Sequence, residues 1–154
     1  MNLHRLLLQR AADKKPLRVA LIGAGKFGSM FLSQVRRTPG LHLVAVCDIN
    51  PARARESLQR VGWPEEQYGA ASLAAAQAAG TTHITDDALT ALASDAVEIA
   101  IDATGNPAAG IRHVLACCEH GKHIVMVNVE ADALAGPLLA RRAQEAGIVY
   151  SLAY

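Results

Sequence analysis

A turn built on three glycines limits what this chain can fold into more than any other feature. Leu17-Arg18-Val19-Ala20-Leu21-Ile22 is an apolar run that breaks into Gly23-Ala24-Gly25-Lys26-Phe27-Gly28. An amphipathic segment follows to Arg37, the chain turns at Pro39-Gly40, and a second apolar run, Leu41 to Cys47, ends on Asp48. Strand, glycine turn, helix, strand and acid stand in the order of a dinucleotide-binding βαβ unit. In such a unit Gly23 permits the tight turn out of the strand, Gly25 lets the backbone approach a pyrophosphate, and Gly28 lets the helix lie close on the sheet. The unpaired N–H groups of the helix's first turn, with its dipole, face the phosphates. Asp48 stands twenty residues after Gly28, where a carboxylate meets the adenosine ribose hydroxyls.

A glycine turn alone is weak evidence, because such turns are common; the flanking periodicity strengthens it. Phe27, Phe31 and Val35 fall at i, i+4 and i+8, with Met30 in the same stripe, which predicts the core face of a helix. Leu41 to Cys47 is rich in aliphatic and β-branched residues, as a strand buried on both faces should be.

The rest of the chain repeats the alternation. Asn50-Pro51 starts a helix that runs to about Val61 and stops at Gly62. Trp63 to Tyr68 is a loop, Ser72 to Ala79 a helix closed by Gly80, Thr81 to Thr85 a third strand, and Asp86 to Ala93 a short helix. Val97 to Ala103 is a fourth strand; Asn106 caps and Pro107 opens the next helix, whose predicted stripe is Ile111, Val114, Leu115 and Cys118. His123 to Asn128 is a fifth strand, Asp132 to Ala146 a helix, and Ile148 to Tyr154 a sixth strand. Met1 to Lys15 reads as a short amphipathic helix ahead of the first strand. The expected fold is therefore α/β: a doubly wound parallel sheet of the Rossmann type, about six strands in the order 3-2-1-4-5-6, with helices on both faces. The domain spans 1–154, and its end on an apolar strand without a cap reads as a truncation.

Composition excludes several classes. A net charge of +1 supplies no basic field for nucleic acid or an anionic membrane. No apolar run approaches the roughly 18 residues of a membrane span, and the start is not a signal peptide. Cys47, Cys117 and Cys118 form no disulfide framework and no metal spacing, and read as reduced thiols of a cytoplasmic protein. None of the six histidines is assigned a ligand role.

Ligands of such sheets lie beyond the carboxyl ends of the strands. The candidate cofactor site joins Gly23, Gly25, Lys26, Phe27 and Gly28 with Asp48, Ile49 and Arg53, then Ala103, Thr104, Gly105 and Asn106, and finally Asn128 and Glu130. Lys26 either leans on a phosphate or is simply solvated. Thr104 to Asn106 either admits the nicotinamide half or is a plain capping turn. Asn128 is placed to bond the nicotinamide side. Glu130 either faces substrate or, with Asp132, only satisfies a helix N-terminus. Asp48 favours NAD, because a 2′-phosphate beside it meets like charge; Arg53 offsets this if it folds back, so NADP stays possible.

Gly-Ala-Gly-Lys-Phe-Gly-Ser-Met-Phe-Leu, Ile-Asp-Ala-Thr-Gly-Asn-Pro, Gly-Lys-His-Ile-Val-Met-Val-Asn-Val-Glu-Ala-Asp and the closing Tyr-Ser-Leu-Ala-Tyr carry a resemblance. The chain resembles the N-terminal part of a bacterial family of homoserine-dehydrogenase-like oxidoreductases with a C-terminal SAF domain. That family includes enzymes similar to deoxyxylulose phosphate reductoisomerase. The resemblance implies a pyrophosphate on Gly23, Gly25 and Gly28, a ribose on Asp48 and the nicotinamide side at Thr104 to Asn106. It also implies a catalytic domain after Tyr154, which leaves the catalytic residues unknown. The related enzymes read Asn-Lys where this chain has Asn128-Val129, so that lysine's role does not transfer. Their reductoisomerase-like members imply NADPH, against the reading of Asp48. Two functions follow. The first is the cofactor domain of an oxidoreductase acting on a small polar or phosphorylated substrate, inactive by itself and expected to form a homo-oligomer. The second is a module that senses a dinucleotide or sugar phosphate without turnover.

Overall fold

The computed structural model describes residues 2–153. Helix α1 (Leu3–Ala12) starts on Asn2, whose side chain accepts the Arg5 N–H. Strand β1 (Leu17–Ile22), α2 (Lys26–Val35) and β2 (Leu41–Cys47) form the first βαβ unit. Then come α3 (Pro51–Arg60), a 3-10 turn at Glu65–Gln67, α4 (Leu73–Ala79), β3 (His83–Thr85) and α5 (Ala88–Ala93). The second half comprises β4 (Ile99–Asp102), α6 (Pro107–His120), β5 (His123–Met126), α7 (Val129–Glu145) and β6 (Tyr150–Leu152). The six strands form one sheet, all pairs parallel, in the order β3-β2-β1-β4-β5-β6.

Alternation along the strands builds two cores. Ala20, Ile22 and Val44 face one side, where Leu92, Val114, Cys117, Leu139 and Ala143 of α5, α6 and α7 cover them. Val19, Leu21, Leu43 and Val46 face the other, against Leu32 and Val35 of α2, Leu58 of α3, Trp63 and Tyr68. Burial on both faces is why these strands read as unbroken apolar runs. Trp63 is held in place by its indole N–H, which donates to the Leu32 carbonyl at 2.8 Å.

Two helices are rotated from their expected faces. On α2 the buried line is Gly28, Leu32 and Val35; Phe31 is half-buried, while Phe27 and Met30 are exposed. The reason is Gly28: a Cβ there would run into the Gly23 carbonyl, so the helix touches the turn at its bare backbone and the larger side chains swing outward. On α6 the buried line is Gly110, His113, Val114 and Cys117, and Leu115 is exposed. Gly110 packs against Asn128 and Ala131, and His113 is drawn inward by a bond to Asp102.

Several boundaries also differ. Strands β3, β4, β5 and β6 are shorter than the stretches that announce them: the ladder of β4 on β1 runs only from Ile99 to Asp102, and that of β6 on β5 only from Tyr150 to Leu152. Helix α7 begins at Val129, three residues earlier than expected, because Asn128 caps it by accepting the Ala131 N–H at 3.1 Å. The ends of two expected elements, Met1 and Tyr154, lie outside the described residues.

Candidate dinucleotide site

The carboxyl ends of β1, β2 and β4 open into a cleft of about 550 Å³. Gly23 leaves β1 with φ of +96°, and a Cβ on it would sit 2.8 Å from the Ala103 carbonyl, so the turn passes directly under the end of β4. Gly25 caps α2 without a side-chain bond, and a Cβ placed there would meet nothing within 4 Å. The first backbone bond of α2 runs from the Ser29 N–H to the Gly25 carbonyl at 2.9 Å. The N–H groups of Lys26, Phe27 and Gly28 are therefore left without helical acceptors. Open space beside Gly25 and three free donors at a helix start together fit a phosphate-sized anion.

Asp48 lines the same cleft, but its carboxylate is already engaged. Oδ2 accepts the Ala24 N–H at 2.8 Å and Oδ1 accepts the Asn50 N–H at 2.8 Å. Arg53 folds back over it: Nη2 donates to both oxygens, at 2.8 and 2.9 Å, and Nε to Oδ2 at 3.3 Å. Asp48 is 4% exposed, whereas the Arg53 side chain is about half exposed, so the arginine forms the movable side of the pair. The condition under which a 2′-phosphate escapes the charge of Asp48 is thus the arrangement observed.

The far wall is organised by Asp102, fully buried at the end of β4. It accepts from His113 Nδ1 at 2.7 Å, from the Thr104 N–H at 2.9 Å and from the Thr104 hydroxyl at 2.8 Å. Burial pushes its carboxyl up, but the bonds from His113 and Thr104, joined by the charge of His113 when that ring is protonated, outweigh this and hold it below the ordinary carboxylate range. Asn128, expected at the nicotinamide side, spends its amide on the protein. Nδ2 donates to the Thr104 hydroxyl at 3.1 Å and the Asn106 carbonyl at 2.8 Å, and Oδ1 caps α7.

Gly23, Gly25, Asp48, Ile49, Arg53, Ala103, Thr104 and Asn106 come together on the cleft. Lys26, Phe27, Gly28, Gly105, Asn128 and Glu130 do not line it; Gly28 lies beneath the turn, and Glu130 sits in the first turn of α7 beside Gly105. Sequence reading missed the opposite side, formed by Asp86, Asp87, Leu89, Ala109, Arg112 and His113. One signal was available: an acid inside the apolar strand Ile99-Ala100-Ile101-Asp102 needs a buried partner, and His113 on the next helix supplies it.

A parallel 3-2-1-4-5-6 sheet with a glycine turn under its central strands defines a nucleotide-binding domain of the Rossmann type. Residues 17–127 match the family model described as an oxidoreductase family with an NAD-binding Rossmann fold, GFO/IDH/MocA, and the chain belongs to that family. None of the curated proteins compared matches it in sequence. Among solved structures it is similar to a homoserine dehydrogenase from Thiobacillus denitrificans, with TM-score 0.69 and 20% identity over 90% of this chain and 29% of that one. It is also similar to GenD2 from gentamicin A biosynthesis in complex with NAD (TM-score 0.65, 21% identity, 89% and 34% covered). A third is an oxidoreductase from Agrobacterium radiobacter in complex with NAD+, L-tartaric acid and magnesium (0.66, 18%, 88% and 34%). The chain spans about a third of the length of these proteins. Among the described residues no helix is long and apolar enough to cross a membrane.

Proposed function

We propose that this chain is the cofactor-binding domain of an NAD(P)-dependent oxidoreductase that transfers hydride to or from a small polar or phosphorylated substrate. The observation that carries the reading is the open space at Gly25 beside the unpaired N–H groups that start α2, in one cleft with Asp48. Gly23, Gly25 and the α2 N-terminus hold the pyrophosphate. Asp48 meets the adenosine ribose once Arg53 turns outward, and Arg53 receives a 2′-phosphate when one is present. NAD is the expected cofactor and NADP a possible second. Thr104 to Asn106 walls the nicotinamide end, with Asn128 bracing that wall from behind. The cofactor supplies the hydride chemistry, and this domain supplies binding and orientation. Substrate-binding and catalytic groups belong to a region after residue 154, as the resemblance to homoserine-dehydrogenase-like proteins with a SAF domain implies, and the whole protein acts as a homo-oligomer.

A second reading, a dinucleotide or sugar-phosphate sensor without turnover, draws on Val129 standing where the related enzymes carry lysine and on Glu130 lying outside the cleft. Turnover by the full-length protein against aldehydes, hydroxy acids and sugar phosphates separates the two. The cofactor site itself is tested by Gly25→Val. Its side chain enters empty space, so the fold is kept with a loss of about 1 kcal/mol at the helix N-cap, while NAD affinity falls by about 100-fold or more, which is about 2.7 kcal/mol. Unaltered NAD affinity in the folded variant refutes the phosphate assignment.

A further inference from the structure

The cleft contains a polar pair that phosphate and ribose binding leave unused, Asp102 and His113. Asp102 takes only donors: His113 Nδ1, both donors of Thr104, and at 3.4 Å the Asn128 amide. An ionised carboxylate has no hydrogen to give, so Nδ1 of His113 carries one. In the neutral ring that fixes the tautomer and leaves a lone pair on Nε2. His113 is 8% exposed and lines the cleft. Nε2 bonds no protein group among the described residues, and it is not sealed from solvent. With the ring neutral, the cleft therefore presents a hydrogen-bond acceptor of set direction and set tautomer.

Its surroundings suit a flat heterocycle. Ile49, 90% exposed, stands on the β2 side, with Leu89 and Ala88 at the start of α5. Such side chains hold a ring by its faces and leave its edge to be read by a polar atom. Asp48 and Arg53, beside Ile49 in sequence, mark where the sugar of the same nucleoside lies.

Resting on the dinucleotide reading above, we propose that His113 Nε2 accepts the exocyclic amine of the adenine ring, so that the Asp102–His113 pair selects an amino-purine over an oxo-purine. Asp102 is a positioning residue: it sets the tautomer and touches no ligand.

The test compares NAD with nicotinamide hypoxanthine dinucleotide, which differs by a carbonyl oxygen in place of the amine. With the wild-type chain, calorimetry should give about tenfold or greater preference for NAD, because the hypoxanthine oxygen would meet the Nε2 lone pair. His113→Asn keeps a donor near the Nδ1 position for Asp102 and removes Nε2. It should bring the two affinities within about twofold, mainly by weakening NAD. Asp102→Asn can donate to Nδ1 and shift the ring hydrogen to Nε2, which moves preference toward the hypoxanthine form. Equal binding of both dinucleotides by the wild type overturns the inference, as does undiminished preference in His113→Asn. The wild-type comparison needs no variant to fold. Failure of both dinucleotides to bind the wild type removes the dinucleotide reading itself, and this inference with it.

Discussion

Removing the Asp48 carboxylate should damage the fold and the cofactor preference together, by amounts that follow from its bonds. Asp48→Ala strips the acceptor from donors on three residues, Ala24, Asn50 and Arg53. The Ala24 N–H is in a residue only 1% exposed, so water cannot replace the lost partner. Asn50 is exposed and Arg53 about half exposed, so both rehydrate at little cost. The loss is therefore dominated by one buried orphan donor, about 2–3 kcal/mol, within the range for an unsatisfied buried group whose lost partner was charged. For a domain of this size that is a fall in Tm of about 5–10 °C. Urea unfolding followed through Trp63, the single tryptophan and a buried one, reads the change directly. Asp48→Asn keeps one acceptor and should lose about half as much. In the same variants Arg53 is released, so the ratio of NADP to NAD affinity should rise by about tenfold, or about 1.4 kcal/mol. A folded Asp48→Ala chain that loses less than about 0.5 kcal/mol would show that the Ala24 N–H does not depend on this carboxylate.

Three further outcomes are expected. Arg53→Ala should weaken NADP selectively, by about tenfold in a binding titration, and leave NAD within about threefold; equal losses would mean that the arginine only holds Asp48. Asp102 has a folded carboxyl value depressed below its unfolded one, so its stabilisation is complete above about pH 4 and drains away as pH falls through the lower folded value. Unfolding midpoints of the wild type and Asp102→Asn should therefore converge below about pH 4; a constant gap there would refute the assignment. Burial pushes the Cys47 and Cys117 thiols up to about 12, with the charges of Asp87 and Asp48 adding at Cys47 and that of Cys118 first among the charges at Cys117. Neither should be alkylated by iodoacetamide at about pH 8 until the chain is unfolded, and rapid labelling of both in the native chain would contradict their burial.

What sequence could reveal depended on how far each determinant reached along the chain. The glycine turn, the caps at Asn50 and Asn106 and the alternation of strands with helices are set within a few residues, and each was readable there. The helix faces were not, because a face is chosen by what lies opposite. Phe27 and Met30 fit the helical period, yet Gly28 brings α2 so close to the turn that they are left outside. The same applies to the site. Gly23, Asp48 and Thr104 announce themselves by position relative to strand ends, but the saturation of Asp48 comes from an amide 24 residues earlier as well as from Arg53. The recruitment of His113 depends on an acid 11 residues before it, on a different element.

Asn128 has a mechanical consequence. One amide joins the Thr104 hydroxyl and the Asn106 carbonyl, beyond the end of β4, to the opening turn of α7, which it also caps. A loop and a helix that are 22 residues apart in the chain are thereby riveted at a single point. Helix α7 has 17 residues, about 25 Å of helix, with Pro137 inside it. Pressure on the wall at Thr104 to Asn106 is thus not absorbed by a soft loop. It passes to the opening turn of α7, and Pro137, which has no N–H to bond the turn before it, sets where along the helix that load is taken up as a bend.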